Sequence, residues 1–209
     1  MKNELLHPPE DQALTLKAVQ DHLRITHTGE DETLQRLIES VTSYFEQTYS
    51  LALIRQKWGL WLDHWPHQDK SPWWEGVSDG ALRDVFDSNG GVKIPQRPLL
   101  EVSEVSILNS ESDAEEWGRD YYRWSGGLEP RLILKEGLIW PAPKINTEGI
   151  YISYIVGFGD HSFDVPMLIR HGLLEMMTFL YSNRGGDLRN AEKASGAYSL
   201  WSPYRRVSL

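Results

Sequence analysis

Hydrophobic positions recur at two different spacings along this chain, and the change of spacing divides it. Between 149 and 156, Ile150, Ile152, Tyr154 and Val156 alternate with Tyr151, Ser153 and Ile155, so both faces carry apolar or aromatic bulk. That is the pattern of a strand covered on both sides. Gly157 and Gly159 follow and suit a tight turn out of the strand. Pro166 then suits a first helical turn, and Ile169, Gly172, Leu173, Met176, Met177 and Leu180 predict a helix to about 184 with a broad apolar face. A stripe that wide implies contact with more than one partner surface.

Helical spacing also governs the beginning of the chain. Residues 1–14 are polar and contain proline, and read as a flexible arm. Thr15 can cap a short helix over 16–24. Thr28 and Asp31 have capping-box spacing, and the acidic residues Glu30, Asp31 and Glu32 favour a helix start there. Leu34, Leu37, Ile38, Val41, Tyr44, Phe45 and Thr48 then carry that helix to about 49. The period switches to two at Ile54, Gln56, Trp58, Leu60 and Leu62. Short strands are expected again at 92–95, 102–109, 119–124 and 131–135. Residues 63–91 interrupt the strand pattern with Pro, Gly and the tryptophans Trp65, Trp73 and Trp74, and read as a long loop. Residues 187–196 are polar and poorly periodic.

The order helix–helix, strands, helix predicts an α+β fold. A small helical bundle forms from the N- and C-terminal helices (15–50 and 165–197), with an inserted antiparallel β-sandwich or barrel-like segment (51–164). In the bundle, Leu37, Val41, Tyr44, Ile169, Leu173, Met176 and Leu180 are candidates for subunit interfaces as well as for core.

Composition narrows the function. The chain has 209 residues, a net charge of −9 and no cysteine. An acidic balance argues against non-specific binding to phosphates, and the lack of cysteine excludes disulfides and thiolate metal sites. No stretch is long and apolar enough for a membrane span or a signal peptide, so no membrane role is expected. Nine Trp and nine Tyr point weakly to association.

No nucleophile elbow, phosphate loop, zinc-protease motif or dinucleotide fingerprint is present. Asp160, His161 and Asp164 are the best acid–base cluster, but a solvated loop capping the following helix explains them more simply. His64 and His67 lack a third ligand. No cofactor and no metal are therefore expected. Trp65, Trp73 and Trp74 suit either a stacking platform for sugars or bases, as in a β-rich carbohydrate- or partner-binding module, or plain core or intersubunit packing, and the acidic residues nearby count against nucleotides. The ending Trp201, Pro203, Tyr204, Arg205, Arg206 through Leu209 has the composition of a binding hot spot. Alternatively it folds back on its own bundle.

The chain resembles the head–tail connector, or adaptor, proteins of long-tailed phages, prophages and gene-transfer particles. The resemblance rests on Thr15-Leu16, Ala18-Val19 and His22-Leu23-Arg24-Ile25, then Leu34, Leu37, Ile38 and Glu39. It continues through Trp58 and Ile94-Pro95-Gln96-Arg97-Pro98-Leu99 with Val102 and Val105. It closes with Tyr154 to Asp160, Val165-Pro166, Ile169 and Tyr204-Arg205-Arg206-Val207. It implies a non-enzymatic virion protein of the capsid neck, present in the host cytoplasm during assembly. The family forms a homo-oligomeric ring, typically of twelve subunits, beneath the portal protein. The ring extends the DNA channel and offers a surface to the next tail-completion (stopper or terminator) protein. The resemblance assigns portal docking to the C-terminal segment, 198–209 here. Genome DNA would pass an acidic lumen without specific binding. The Trp-rich stretch 64–91 departs from the family pattern.

Overall fold

The structure, a computed structural model, describes residues 1–65, 91–110 and 113–206. These form two compact units, one of residues 1–8 and 56–157 and the other of residues 9–55 and 158–209.

The first unit is antiparallel β. Strand β1 (Lys2–His7) pairs with β2 (Gln56–Leu62), β2 with β8 (Ile150–Val156), β8 with β4 (Leu99–Ser110), and β4 with β5 (Asp113–Glu116). A second sheet has the order β3 (Val92–Lys93), β7 (Arg131–Leu134) and β6 (Tyr122–Ser125). An isolated bridge between Leu99 and Gly127 links the two. Both sheets have free ends in their strand order, so the described strands form no closed barrel.

As its two-sided apolar pattern required, β8 is the middle strand of five. Ile150, Ile152, Tyr154 and Val156 are fully buried on one face, and Ser153 is buried on the other. At the end of β8, Gly157 takes φ 132°, a value L side chains rarely adopt. The stretch Ile94 to Leu99 leads into β4. There Ile94 is buried, and the Arg97 guanidinium, also buried, donates to the Leu128 carbonyl at 3.3 Å.

Residues 2–7 are a correction to the expected loose arm. Polar composition suggested disorder, but the exposed edge of β2 supplies a backbone ladder. The Tyr154 hydroxyl donates to Asn3 Oδ1 at 2.7 Å, and Asp63 receives the N-terminal amine at 3.4 Å.

The second unit is helical. Helix α1 (Leu16–Leu23) starts at Thr15, whose hydroxyl accepts from the Ala18 amide. Helix α2 (Asp31–Tyr49) carries Asp31 and Glu32 in its first turn as the dipole argument expects. Its cap residue is Glu30, and no side chain caps it, so the Thr28–Asp31 box does not form. Helix α3 (Met167–Ser182) follows Pro166. The polar residues near 190 lie within the range expected for the bundle, although their weak periodicity assigned them no element. They form α4 (Leu188–Ala194), started by Asp187 accepting from the Asn190 amide, and then α5 (Ala197–Trp201). Both helices are too short for periodicity to reveal.

One core fills this unit. Ala13, Leu14, Val19, Leu34, Ile38, Val41 and Phe45 meet Ile169, Leu173, Met176, Met177 and Leu180, closed by Ala191, Ala197 and Trp201. The broad face of α3 does touch several surfaces, and all of them belong to the same chain: α1, α2, α4 and α5.

Candidate interaction surface

The acid–base cluster proves to be a turn. Ser162–Asp164 form a single 3-10 turn, and the His161 amide donates to Asp164 Oδ2 at 3.0 Å. Gly159 is glycine for space, because a Cβ there would lie 2.3 Å from that same carboxylate oxygen. The His161 ring is exposed, with Nδ1 3.5 Å from Asp11 Oδ2, and Asp160 faces Arg55 at 3.5 Å. The three residues order a surface loop ahead of α3. No group of three or more His, Asp or Glu that could hold a metal occurs among the described residues. His67, Trp73 and Trp74 lie outside the described residues, so the two-histidine site and most of the tryptophan platform fall there too.

Trp65 is described, and it is buried rather than presented. Its ring stacks on Trp140 at 4.2 Å between centroids, and its Nε1 donates to the Pro141 carbonyl at 2.7 Å. Trp117 lies 5.4 Å from Trp140 and stacks on Tyr121 and Tyr122. Trp65 and Tyr122 are buried, Trp117 and Trp140 are half-buried, and Tyr121 is exposed, so the cluster runs from the interior of the β unit to its surface. Sequence reading missed Trp117 and Trp140 because neither sits in a strand or helix pattern.

The proposed interface residues need the same correction. Val41, Ile169, Leu173 and Met176 are fully buried and Leu180 nearly so, while Leu37 and Tyr44 are half-buried. Val41, Ile169, Leu173 and Met176 face the chain's own core, because α4 and α5 cover the side of α3 that sequence left open, whereas Leu37 and Leu180 also line a groove on the surface.

The C-terminal segment divides in two. Trp201 is completely buried, edge-on to Phe45 at 4.8 Å and to Tyr49 at 5.8 Å, and its Nε1 donates to the Ile169 carbonyl at 3.2 Å. It is an anchor inside the unit and not a docking side chain. Beyond it Pro203, Arg205 and Arg206 are exposed, and Tyr204 is half-buried against the core. The Arg205 guanidinium donates to the Tyr198 hydroxyl at 2.7 Å and lies over its ring. Leu209 lies outside the described residues.

Beside Trp201 sits a buried polar group that the sequence did not announce. Glu192, on α4, is 5% exposed. Its carboxylate accepts from the Tyr44 hydroxyl at 2.6 Å and from the Tyr49 hydroxyl at 2.5 Å. A buried carboxylate needs such donors to offset desolvation. Burial, and then the bond to Glu192, pushes the Tyr44 phenol up to about 12 and raises Tyr49 further in the same direction. The network fastens α4 to α2.

Two further surface features lie on the helical unit. Phe163, Met167 and Leu168 stand 68%, 73% and 48% exposed at the start of α3. At the other end of α3, a groove of about 500 Å³ opens between α2, α3 and the start of α4.

No protein-family model matches the sequence, and no curated protein matches it. Solved structures do. A chain from the neck of an empty gene transfer agent (GTA) particle, computed with C6 symmetry, superposes with a TM-score of 0.77 at 17% identity. That alignment covers 100% of this chain and 97% of that one. This chain has the fold of a neck protein. A chain from the virion of a native gene transfer agent particle gives a TM-score of 0.76 at 18% identity over the same shares. One from the native particle's neck, computed with C12 symmetry, gives 0.71 at 17%. The neck-protein fold therefore spans both units, and the α+β architecture expected from periodicity is the one observed.

Proposed function

We propose that this chain is a structural head–tail connector: a neck subunit that assembles with copies of itself into a ring beneath the portal. The ring continues the DNA channel and presents a surface to the next tail-completion protein. The observation that carries this reading is the end-to-end likeness to gene transfer agent neck chains, 100% of this chain on 97% of theirs. Those particle necks are described with C6 and C12 symmetry, which supports a ring of about twelve copies. The work of such a subunit is mechanical, and the reading gives it no catalytic role.

In this reading Trp201 fixes the base of the C-terminal segment, and Tyr198, Arg205 and Arg206 with the residues up to Leu209 make the portal contact. The net charge of −9 per copy supports a channel wall that repels phosphate, so that DNA slides. Light scattering of the purified chain with and without portal protein tests the assignment. The expected result is a ring-sized complex that requires portal or high concentration, and that is lost when 203–209 are removed. A monomer indifferent to portal, with its C-terminus intact, contradicts it.

A further inference from the structure

We infer that neighbouring copies join through opposite ends of α3. The ridge of Phe163, Met167 and Leu168 on one copy seats in the α2–α3–α4 groove of the next. The inference rests on the ring reading above and names the contact that closes it. Single exposed apolar side chains are ordinary; three adjacent ones form a patch that calls for a cover. Their backbone is held in place. Val165 beneath them is buried, the Arg170 Nε donates to the Val165 carbonyl at 3.1 Å, and the Ile169 amide donates to Pro166 at 2.9 Å. A patch on a fixed backbone loses little entropy on docking.

The groove offers the matching surface. Leu37, Leu180 and Leu188 give it apolar walls, with Tyr181, Arg184 and Glu30 at its edges. Ridge and groove are separated by most of α3, roughly 20 Å at the helical rise, so a copy does not fill its own groove. The two surfaces are different, and a contact between unlike surfaces is the kind that propagates around a ring. Charge does not distinguish the two surfaces. At the ridge Asp160 lies 3.5 Å from Arg55 and Asp164 accepts from the His161 amide. At the groove Arg184 lies 3.8 Å from Glu30, and exposed Asp187 stands between Arg184 and Arg189. The match is one of apolar surface in an unlike pair.

The absence of native cysteine allows a direct test. Met167→Cys on the ridge and Ser40→Cys on the groove wall are combined in the full chain, assembled with portal and oxidised. The inference predicts a cross-linked ladder running past the dimer for the double variant and none for either single variant. A second variant, Phe163→Ser with Met167→Ser, should keep its circular dichroism. It should raise the concentration for half-assembly by more than about tenfold. Three results overturn the inference while leaving the ring intact: rings without a ladder, Met167→Cys alone forming dimers, or that cysteine cross-linking to portal. Failure of the unmodified chain to form rings is a different outcome, and it removes the ring reading itself.

Discussion

Trp201 and Gly172 form a matched pair, and exchanging one residue for the other's loss makes a sharp prediction. Trp201 is fully buried, touches Phe45 and Tyr49 edge-on and donates to Ile169. Trp201→Ala removes all of this and leaves a cavity, at a cost of about 3–5 kcal/mol. For a chain of this size each kcal/mol lowers Tm by about 2–4 °C, so the helical unit should melt roughly 6–20 °C earlier. Gly172 faces the same indole: a Cβ there would lie 2.3 Å from Trp201 Nε1 and 2.6 Å from Cε2. The ring is locked between two aromatics and cannot retreat. Gly172→Ala alone should therefore destabilise by about 1–3 kcal/mol through overpacking, despite its better helix propensity. With Trp201→Ala already present, the clash is gone and the new methyl enters the cavity. Gly172→Ala should then stabilise, by about 1 kcal/mol from propensity alone. The coupling between the two sites is thus about 2 kcal/mol or more, opposite in sign to simple addition. Denaturant unfolding followed by far-UV circular dichroism measures it, since that signal reports helix and does not depend on the lost fluorophore. Equal effects of Gly172→Ala in both backgrounds would refute the packing described for the C-terminal segment.

Other predictions concern separate parts of the molecule. Because Tyr44 and Tyr49 have folded pKa values above the usual phenol, their protonated forms stabilise the fold fully below about pH 10, where a free phenol titrates. That contribution is lost as pH rises through about 12, and the loss should shrink in a Tyr44→Phe, Tyr49→Phe double variant titrated by circular dichroism. Asn3→Ala deprives the buried Tyr154 hydroxyl of an acceptor and should cost about 1–2 kcal/mol, read as faster amide exchange in β1 and β2; unchanged exchange would mean β1 is not held there. Trp65→Ala should destabilise the β unit by about 3–5 kcal/mol, and addition of glycans should leave the fluorescence of the intact chain unshifted. A saccharide-dependent shift that Trp65→Ala abolishes would restore the stacking-platform reading.

What the sequence made legible follows from length and period. Helices α2 and α3 repeat their apolar positions over four turns or more, and β8 carries bulk on both faces, so each was readable with its partner type. Strand β1 and helix α4 were not. Lys2–His7 has an edge strand's mixed exposure, and its pairing depends on a β2 edge some 55 residues away in sequence. Helix α4 has only seven residues, and its buried carboxylate, Glu192, reads as a surface charge until two tyrosines from α2 close on it. Four of the interface candidates, Val41, Ile169, Leu173 and Met176, are core for a related reason. An apolar stripe announces burial but not against what, and α4 and α5 supplied the cover. The tail's aromatic and basic composition mixed two jobs, an anchor at Trp201 and exposed groups beyond it. The ridge at Phe163 and Met167 escaped notice because two neighbouring residues of a loop and a helix start show no period at all.

The proposed connector role requires the helical unit built by α1–α5 to stand side by side with its copies around a channel. Electron micrographs of the chain mixed with portal protein test it most directly. The account predicts end-on views with a closed ring of about twelve copies and an open centre. Particles that stay monomeric, or that pair only as closed dimers at every concentration tried, would contradict it.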